Sequence, residues 1–284
     1  MSWRHFDEPA RIYALCTLDA HTCLAATDRG LWRYCTDDTW QPASSVLLDV
    51  PLTAVAATPT HILVGSAQHI ARSTDGGQSW QLARMPIEGA ILGLALSPTF
   101  EQDGTAFAAT AQDGVLRSVS HGATWYAWNH GLLDLCVNAV AVSPDFAEDQ
   151  TVFAATESGL FVSYNGGRAW REINLPFQDA PLTALAVDIG AEGVLRLWVG
   201  SEGAGAWHAP APFKKWARVL SEASVINALL PAHLAHLATP QGIFVTQSSS
   251  RAQKISAIEN AVCLARLGDR LLVGTAEDGL WVKK

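Results

Sequence analysis

The sequence predicts an all-β protein made of seven repeated units, each with four short antiparallel strands. Short apolar runs rich in Val, Thr and small residues alternate with Gly and Pro throughout the 284 residues, a pattern typical of strands. A polar turn, usually with glycine, precedes the third strand of each unit and recurs at roughly 40-residue intervals. The seven copies of this turn lie at Gly30, His69, Gly114, Gly159, Gly205, Gly242 and Gly279.

Units of this length with four strands each are typical of a β-propeller, in which every unit forms one blade. The seventh unit stops after its third strand, at Trp281–Lys284. The N-terminal segment Ser2–Phe6 begins much like the fourth strands that open at Trp40 and Trp80. We therefore predict a seven-bladed β-propeller whose last blade is closed by the N-terminal strand, with residues 1–284 in a single domain.

An eight-residue turn motif precedes the fourth strand in three of the units. The copies are Ser73–Trp80, Ser118–Trp125 and Ser163–Trp170. The glycine at the fifth position allows the positive φ of a tight turn, and the Asp, Ser or Asn at the third position can accept backbone hydrogen bonds. We expect each tryptophan ring to lie between neighbouring blades and to hold them together.

The first copy matches the motif Ser-x-Asp-x-Gly-x-x-Trp at Ser73, Asp75, Gly77 and Trp80, whereas the other two copies carry Ser and Asn at the Asp position. In this respect the chain resembles the Asp-box (BNR) repeat propellers, which include sialidase-like proteins. The resemblance implies that the motif is a structural turn on the side away from the usual functional face.

A second motif, Ser-Pro-x-Phe-x-x-Asp-x-Thr, occurs at Ser97–Thr105 and Ser143–Thr151. It is similar to loops of photosystem II assembly/stability-factor-like propellers, and it covers two blades of the chain.

Enzyme activity is the alternative to a binding role, because several Asp-box families are glycoside hydrolases. The resemblance would imply an arginine cluster, a Tyr nucleophile and an early Phe/Tyr-Arg-Ile-Pro motif, which Ala10–Tyr13 and Ala83–Pro86 do not match. No Gly-x-Ser-x-Gly elbow or glycine-rich phosphate loop occurs. We predict no catalytic residues and no cofactor. A glycoside hydrolase or lyase with carboxylates at the mouth of the channel stays open as the alternative.

Carboxylates are expected to collect on one face of the propeller. The second-to-third-strand turns and the fourth-to-first-strand connections should share that face, and both are acidic. Solvated turn chemistry explains such residues adequately. The alternative is an acidic rim that attracts a cationic partner, a small ligand or a metal ion. The rim residues are Asp28, Asp113, Glu157, Glu202 and Asp278.

Polar residues also recur at one equivalent position of the first strands, followed in every copy by a small residue. These side chains could line a central ligand pocket, since convergent polar groups are typical of such sites. They could equally pair with buried backbone or hold water. The candidate pocket residues are Tyr13, Thr53, Asn138, Thr183 and Asn227.

The charge and the spacing of the histidines argue against nucleic-acid binding and against a metal site. The net charge is −8 and no basic patch is evident, which argues against a nucleic-acid partner. The nine histidines, including His233 and His236, show no metal-ligand spacing, so we predict no metal site.

Cysteine usage and targeting signals indicate the compartment. The five cysteines are odd in number and form no CxxC pair, which favours buried reduced thiols. We find neither a secretory signal nor an apolar run long enough for a membrane span. Together these features predict a cytoplasmic, non-catalytic scaffold that binds or assembles with a protein partner.

Overall fold

The computed structural model describes residues 3–85, 88–190, 192–220, 225–232, 234–248 and 251–284. Over these residues the chain forms seven four-stranded antiparallel sheets, one for each blade, as predicted.

The N-terminal strand and the first three blades contain strands β1 to β13. The N-terminal strand is β1 (Trp3–Phe6). Blade one consists of β2 (Ile12–Thr17), β3 (Thr22–Thr27), β4 (Gly30–Cys35) and β5 (Trp40–Pro42). Blade two consists of β6 (Ala54–Ala57), β7 (Ile62–Gly65), β8 (Ile70–Ser73) and β9 (Gln81–Leu82). Blade three consists of β10 (Ile91–Leu96), β11 (Thr105–Thr110), β12 (Val115–Val119) and β13 (Tyr126–Ala127).

Blades four to seven contain the remaining strands. Blade four consists of β14 (Val137–Val142), β15 (Val152–Thr156), β16 (Leu160–Ser163) and β17 (Arg171–Ile173). Blade five consists of β18 (Leu182–Ile189), β19 (Leu195–Ser201), β20 (Ala206–Pro210) and β21 (Ala217–Leu220). Blade six consists of β22 (Ala228–Leu230), β23 (His236–Thr239), β24 (Gly242–Ser248) and β25 (Arg251–Ser256). Blade seven contains β26 (Ala261–Leu267), β27 (Arg270–Thr275) and β28 (Leu280–Lys283).

The N-terminal strand supplies the fourth strand of blade seven, which confirms the predicted closure. Strand β1 pairs antiparallel with β28, from Trp3 opposite Lys283 to Phe6 opposite Leu280. The first strand of each blade contacts the first strands of both neighbouring blades, and β26 contacts β2 to complete the ring. The first strands therefore surround the central axis.

Apolar clusters between adjacent blades form the core. One cluster joins blades three and four through Phe107, Phe146, Phe161 and Trp170, all of which are buried. Small residues on the second strands, such as Ala154, let neighbouring sheets pack closely. Burial of these faces supplies the main force that holds one blade to the next.

The three eight-residue turns are closed by their own side chains. In the first copy, Ser73 Oγ accepts a hydrogen bond from the amide of Gly77 (2.8 Å), and Asp75 Oδ1 accepts one from the amide of Ser79 (2.9 Å). Gly77 has a φ of 93°, which favours glycine. The ring of Trp80 packs into the cluster between blades one and two. The predicted structural role of these turns therefore agrees with their geometry.

Two single-turn helices lie between the first and second strands of blades three and four. They are α1 (Phe100–Asp103) and α2 (Phe146–Asp149), and both begin with a buried phenylalanine. Among the described residues, no helix is long and apolar enough to cross a membrane.

Candidate functional site

The two faces of the propeller are formed by different loops. We call upper face the one that carries the fourth-to-first-strand connections and the second-to-third-strand turns. These segments share an edge because the start of each first strand pairs with the end of the second, as Ile91 does with Thr110 and Val137 with Thr156. The eight-residue turns and both short helices lie on the opposite, lower face.

The candidate pocket residues lie at the upper end of the first strands. Thr53 and Asn227 directly precede β6 and β22, and in five other blades the strand pairing at this position is irregular. The register shifts across Tyr13, Leu92, Asn138, Thr183 and Val262, so each is the extra residue of a bulge. A bulge redirects a side chain and strengthens the local twist. The recurrent polar position in the sequence is therefore the bulge position of five blades.

Four of the five predicted pocket side chains donate a hydrogen bond to the next blade. The acceptor is each time the carbonyl oxygen of the residue that opens or precedes the neighbouring first strand. The bonds run from Thr53 to Ile91 (2.6 Å), from Asn138 to Leu182 (2.9 Å), from Thr183 to Ile226 (2.7 Å) and from Asn227 to Ala261 (2.7 Å).

These four side chains therefore lie around the central axis. Their donor groups form hydrogen bonds between neighbouring blades. Tyr13 is 36% exposed and stands apart from this hydrogen-bonded set. A ligand pocket at this position stays a prediction.

The rim carboxylate of Asp113 accepts hydrogen bonds from the backbone of a neighbouring connection. Its Oδ2 accepts hydrogen bonds from the amides of Glu88 (3.2 Å) and Gly89 (2.7 Å), in the connection that leads into blade three. A carboxylate that holds two backbone amides stabilises the loop and has less capacity for a ligand.

Asp134, in the connection from blade three to blade four, also accepts hydrogen bonds from backbone amides. It accepts hydrogen bonds from the amides of Cys136 (2.9 Å) and Ser158 (2.8 Å). Burial opposes ionisation of this carboxyl, but these hydrogen bonds outweigh it and hold the pKa of Asp134 below its usual value. No sequence pattern distinguishes Asp134 from the other acidic residues of the connections.

The other predicted rim residues differ in exposure. Glu157 and Glu202 are exposed, whereas Asp28 is half-buried and its Oδ1 has no hydrogen-bond partner among the described residues. Asp278 accepts a hydrogen bond from the indole of Trp281 (3.1 Å) and lies 3.3 Å from His5 Nε2. The acidic rim is therefore a set of separate turn residues on one face.

The cysteines and histidines form no reactive centre in the part of the chain that is described. All five cysteines are free thiols, and burial raises the pKa of Cys16 to about 11 and that of Cys263 to about 12. No group of three His, Cys, Asp or Glu side chains in the described ranges is placed to hold a metal ion. His233 lies outside the described residues, whereas His236 is on β23.

Sequence reasoning missed the exposed apolar side chains of the upper face. In the connection from blade one to blade two, Val46 is 64% exposed and is followed by exposed Leu48 and Val50. In the connection from blade three to blade four, Leu133 is 80% exposed and Leu135 is also exposed. The signal was present as apolar runs inside segments predicted to be loops. We call these two segments the apolar connections.

Comparisons with known proteins place the chain among β-propellers without assigning a family. No family model and no curated protein matches the sequence. A solved structure described as YCF48 bound to D1 peptide superposes with a TM-score of 0.73 at 19% identity, covering 99% of this chain and 95% of that one.

Two enzymes are also similar in structure. A streptogramin B lyase superposes with a TM-score of 0.80 at 10% identity, covering 99% of this chain and 97% of that chain. The GH74 enzyme of Niastella koreensis gives 0.76 at 13% identity, with 96% of this chain covering 52% of that one. These likenesses show the fold alone.

Proposed function

We propose that this chain is a non-catalytic propeller that binds a protein partner on its upper face. The observation that carries the proposal is the pair of apolar connections, which expose Val46, Leu48, Val50, Leu133 and Leu135 on one face. Exposed apolar groups beside polar ones are typical of protein-interaction surfaces.

The charge of the same face indicates the kind of partner. Glu157, Glu202 and Asp278 are exposed in second-to-third-strand turns, on the same face as the apolar connections. An acidic rim attracts cations over long range and repels acidic surfaces. The matching partner surface carries apolar side chains flanked by Lys or Arg.

The structural neighbours support both a binding and an enzymatic use of the fold. The neighbour described as YCF48 is bound to a peptide, while the other two named neighbours are a lyase and a GH74 enzyme. Function on a shared fold is decided by the site. On this chain Asp113 and Asp134 are used as backbone acceptors, which favours the binding role.

We further propose that the three eight-residue turns are Asp-box repeats and that the protein is cytoplasmic. The first proposal is supported by the hydrogen bonds of Ser73 and Asp75, which the Ser-x-Asp-x-Gly-x-x-Trp pattern requires. The second is supported by five free cysteines in the described structure.

Charge substitutions on the upper face test the binding role. The double variant Val46→Glu/Leu133→Glu should lose the partner that the unmodified protein retains in quantitative affinity capture, with an unchanged melting temperature. The matched control is Val119→Glu/Tyr164→Glu, since these side chains are 59% and 55% exposed and belong to the eight-residue turns of the lower face. Equal retention by both double variants would contradict the proposal.

The enzymatic alternative has its own test. Chromogenic glycosides are assayed with the unmodified protein and with Asp113→Asn, Glu157→Gln and Asp179→Asn. Asp179 is a carboxylate of the connection from blade four to blade five, on the upper face. We expect no turnover above background. Turnover that disappears in one variant, while its unfolding transition is unchanged, would replace the binding role with a glycoside hydrolase or lyase.

A further inference from the structure

A buried arginine between blades three and four forms no direct ion pair with any carboxylate of the described residues. Arg117 lies on β12, and its side chain is 8% exposed. Its guanidinium carbon lies 4.7 Å from the ring centroid of Trp128 and 6.0 Å from that of Phe107. Its Nε is buried and makes no hydrogen bond within the described ranges.

The repeats of the chain provide an internal comparison for this arginine. Equivalent positions on the third strands of blades one and two carry Arg33 and Arg72, each opposite a glutamine of the fourth strand. Arg72 donates to Gln81 Oε1 at 3.0 Å. With the amide of Gln41 turned so that its oxygen faces Arg33, two nitrogens of Arg33 lie 3.1 and 2.7 Å away.

Blade three departs from this pattern because Tyr126 stands opposite Arg117. A tyrosine cannot offer the amide oxygen that Gln41 and Gln81 place before their arginines. The blade with the most buried of the three arginines is thus the one in which the cross-strand acceptor is missing.

The surroundings of Arg117 add positive charge. The guanidinium carbon of Arg168 lies 5.5 Å from the ring centroid of Trp128, the same ring that Arg117 contacts. The nearby carboxylate of Asp103 is engaged elsewhere, since it accepts hydrogen bonds from Ser97 (2.6 Å) and from the amide of Thr105 (2.6 Å). Burial, followed by repulsion from Arg168, lowers the pKa of Arg117.

A buried charge without a partner is costly, and proteins usually pair such a group. We propose that Arg117 and Arg168, with Trp128 between them, form a binding site for an oxyanion at the seam of blades three and four. Carboxylate and phosphoryl oxygens both match the forked donors of a guanidinium. Trp128 opens the connection that also carries Leu133 and Leu135, but the anion is held by the two arginines and its binding does not depend on the proposed partner.

The site is tested with inorganic phosphate and with acetate, each compared with chloride at the same ionic strength. Binding is followed through the indole N–H signal of Trp128 in two-dimensional NMR and through the melting temperature. We expect a saturable shift of both readouts in the unmodified protein. The stronger of the two anions identifies the phosphoryl or the carboxylate source.

Four variants separate a binding role from a structural one. Arg117→Met and Arg168→Gln should weaken anion affinity by about tenfold or more, as expected for loss of a charge-assisted hydrogen bond. Tyr126→Gln should also weaken it, because it restores the acceptor found in blades one and two. Arg72→Met is the matched control and should leave anion binding unchanged.

Stability in chloride gives the second criterion. Arg117→Met should melt at a temperature equal to or above that of the unmodified protein, since an apolar side chain replaces an unpaired buried charge. A protein that shows no saturable response to either anion, or an Arg117→Met variant that binds anions normally, would overturn the proposal. An Arg117→Met variant that melts much lower, in a protein without anion binding, would assign the arginine a structural role.

Discussion

Polar side chains at the start of the first strands act as links between blades. Thr183 Oγ1 donates to the carbonyl of Ile226 at 2.7 Å, and Asn227 donates to that of Ala261 at the same distance. Each link joins the upper ends of two neighbouring first strands. Hydrogen bonds of this type complement the apolar contacts between sheets, because they depend on direction and so fix the spacing of the blades.

Removing one such link should cost stability without changing the fold. Thr183→Val keeps the shape of the side chain and leaves the carbonyl of Ile226 without this donor. We expect a loss of about 1–3 kcal/mol in the free energy of unfolding, the range for an unsatisfied buried polar group. Urea denaturation measures it, and the m value should stay constant. An unchanged midpoint would show that the link contributes nothing.

The sequence located these residues but left their role open. The equivalent positions of Thr53, Asn138, Thr183 and Asn227 follow from the repeat. Whether their donors point at a ligand or at the next blade depends on the distance between blades, which no local pattern encodes. The same holds for Asp113, whose acceptor role depends on the path of the connection through Gly89.

At the scale of elements, the junction of blades seven and one is secured by a carboxylate. Asp38 follows β4 and makes ion pairs with Arg4 (2.6 Å), Arg270 (2.8 Å) and Lys284 (2.6 Å). Tyr34 donates a further hydrogen bond to it at 2.6 Å. Burial raises the pKa of Tyr34 to about 12, so its phenol stays a donor at neutral pH. Both ends of the chain are thereby tied to blade one.

Asp38 should make the closure sensitive to acid. Hydrogen bonds from Lys284 and then Tyr34 hold the pKa of Asp38 well below its usual value. Because the folded-state pKa is depressed, the stabilisation is complete above about pH 4, the usual range of an unfolded Asp, and is lost as the pH falls further.

Asp38→Asn should therefore lower the free energy of unfolding by roughly 1–3 kcal/mol at pH 7. This range is below that of fully buried pairs, since Arg4 and Lys284 are about half exposed. The difference from the unmodified protein should shrink as the pH falls below about 4. Chemical denaturation at pH 7, 5 and 3 measures it, and a difference independent of pH would contradict this account.

Substitution of Trp3 measures how much the N-terminal strand contributes to the stability of blade seven. Its ring is half-buried against the cluster between blades six and seven, and Lys283 lies over it. We expect Trp3→Ala to cost about 2–4 kcal/mol, at or below the range for fully buried aromatic residues. A thermal melt measures the loss. An unchanged melting temperature would show that β1 contributes little to blade seven.

The closure was predictable from sequence because Trp3 aligns with the tryptophans that open other fourth strands. The Asp38 cluster was not predictable. Its members come from both ends and from two blades, and they meet only once the ring is closed.

At the scale of the whole molecule, the two faces carry different kinds of side chains. The lower face carries the eight-residue turns and short helices, whose polar groups bond mainly to their own loops. The upper face carries the apolar connections and the exposed carboxylates. Repeat spacing predicted the seven blades correctly, and the acidic rim stays a prediction. The spacing did not predict the apolar connections, because these vary between repeats and lie where the pattern is weakest.

The most direct test of this account is hydrogen–deuterium exchange of the protein alone and in complex with its captured partner. We predict slower exchange on binding in the connections at residues 44–50 and 131–136, with unchanged exchange in the eight-residue turns. Protection confined to those turns, or absent from both connections, would contradict a partner site on the upper face.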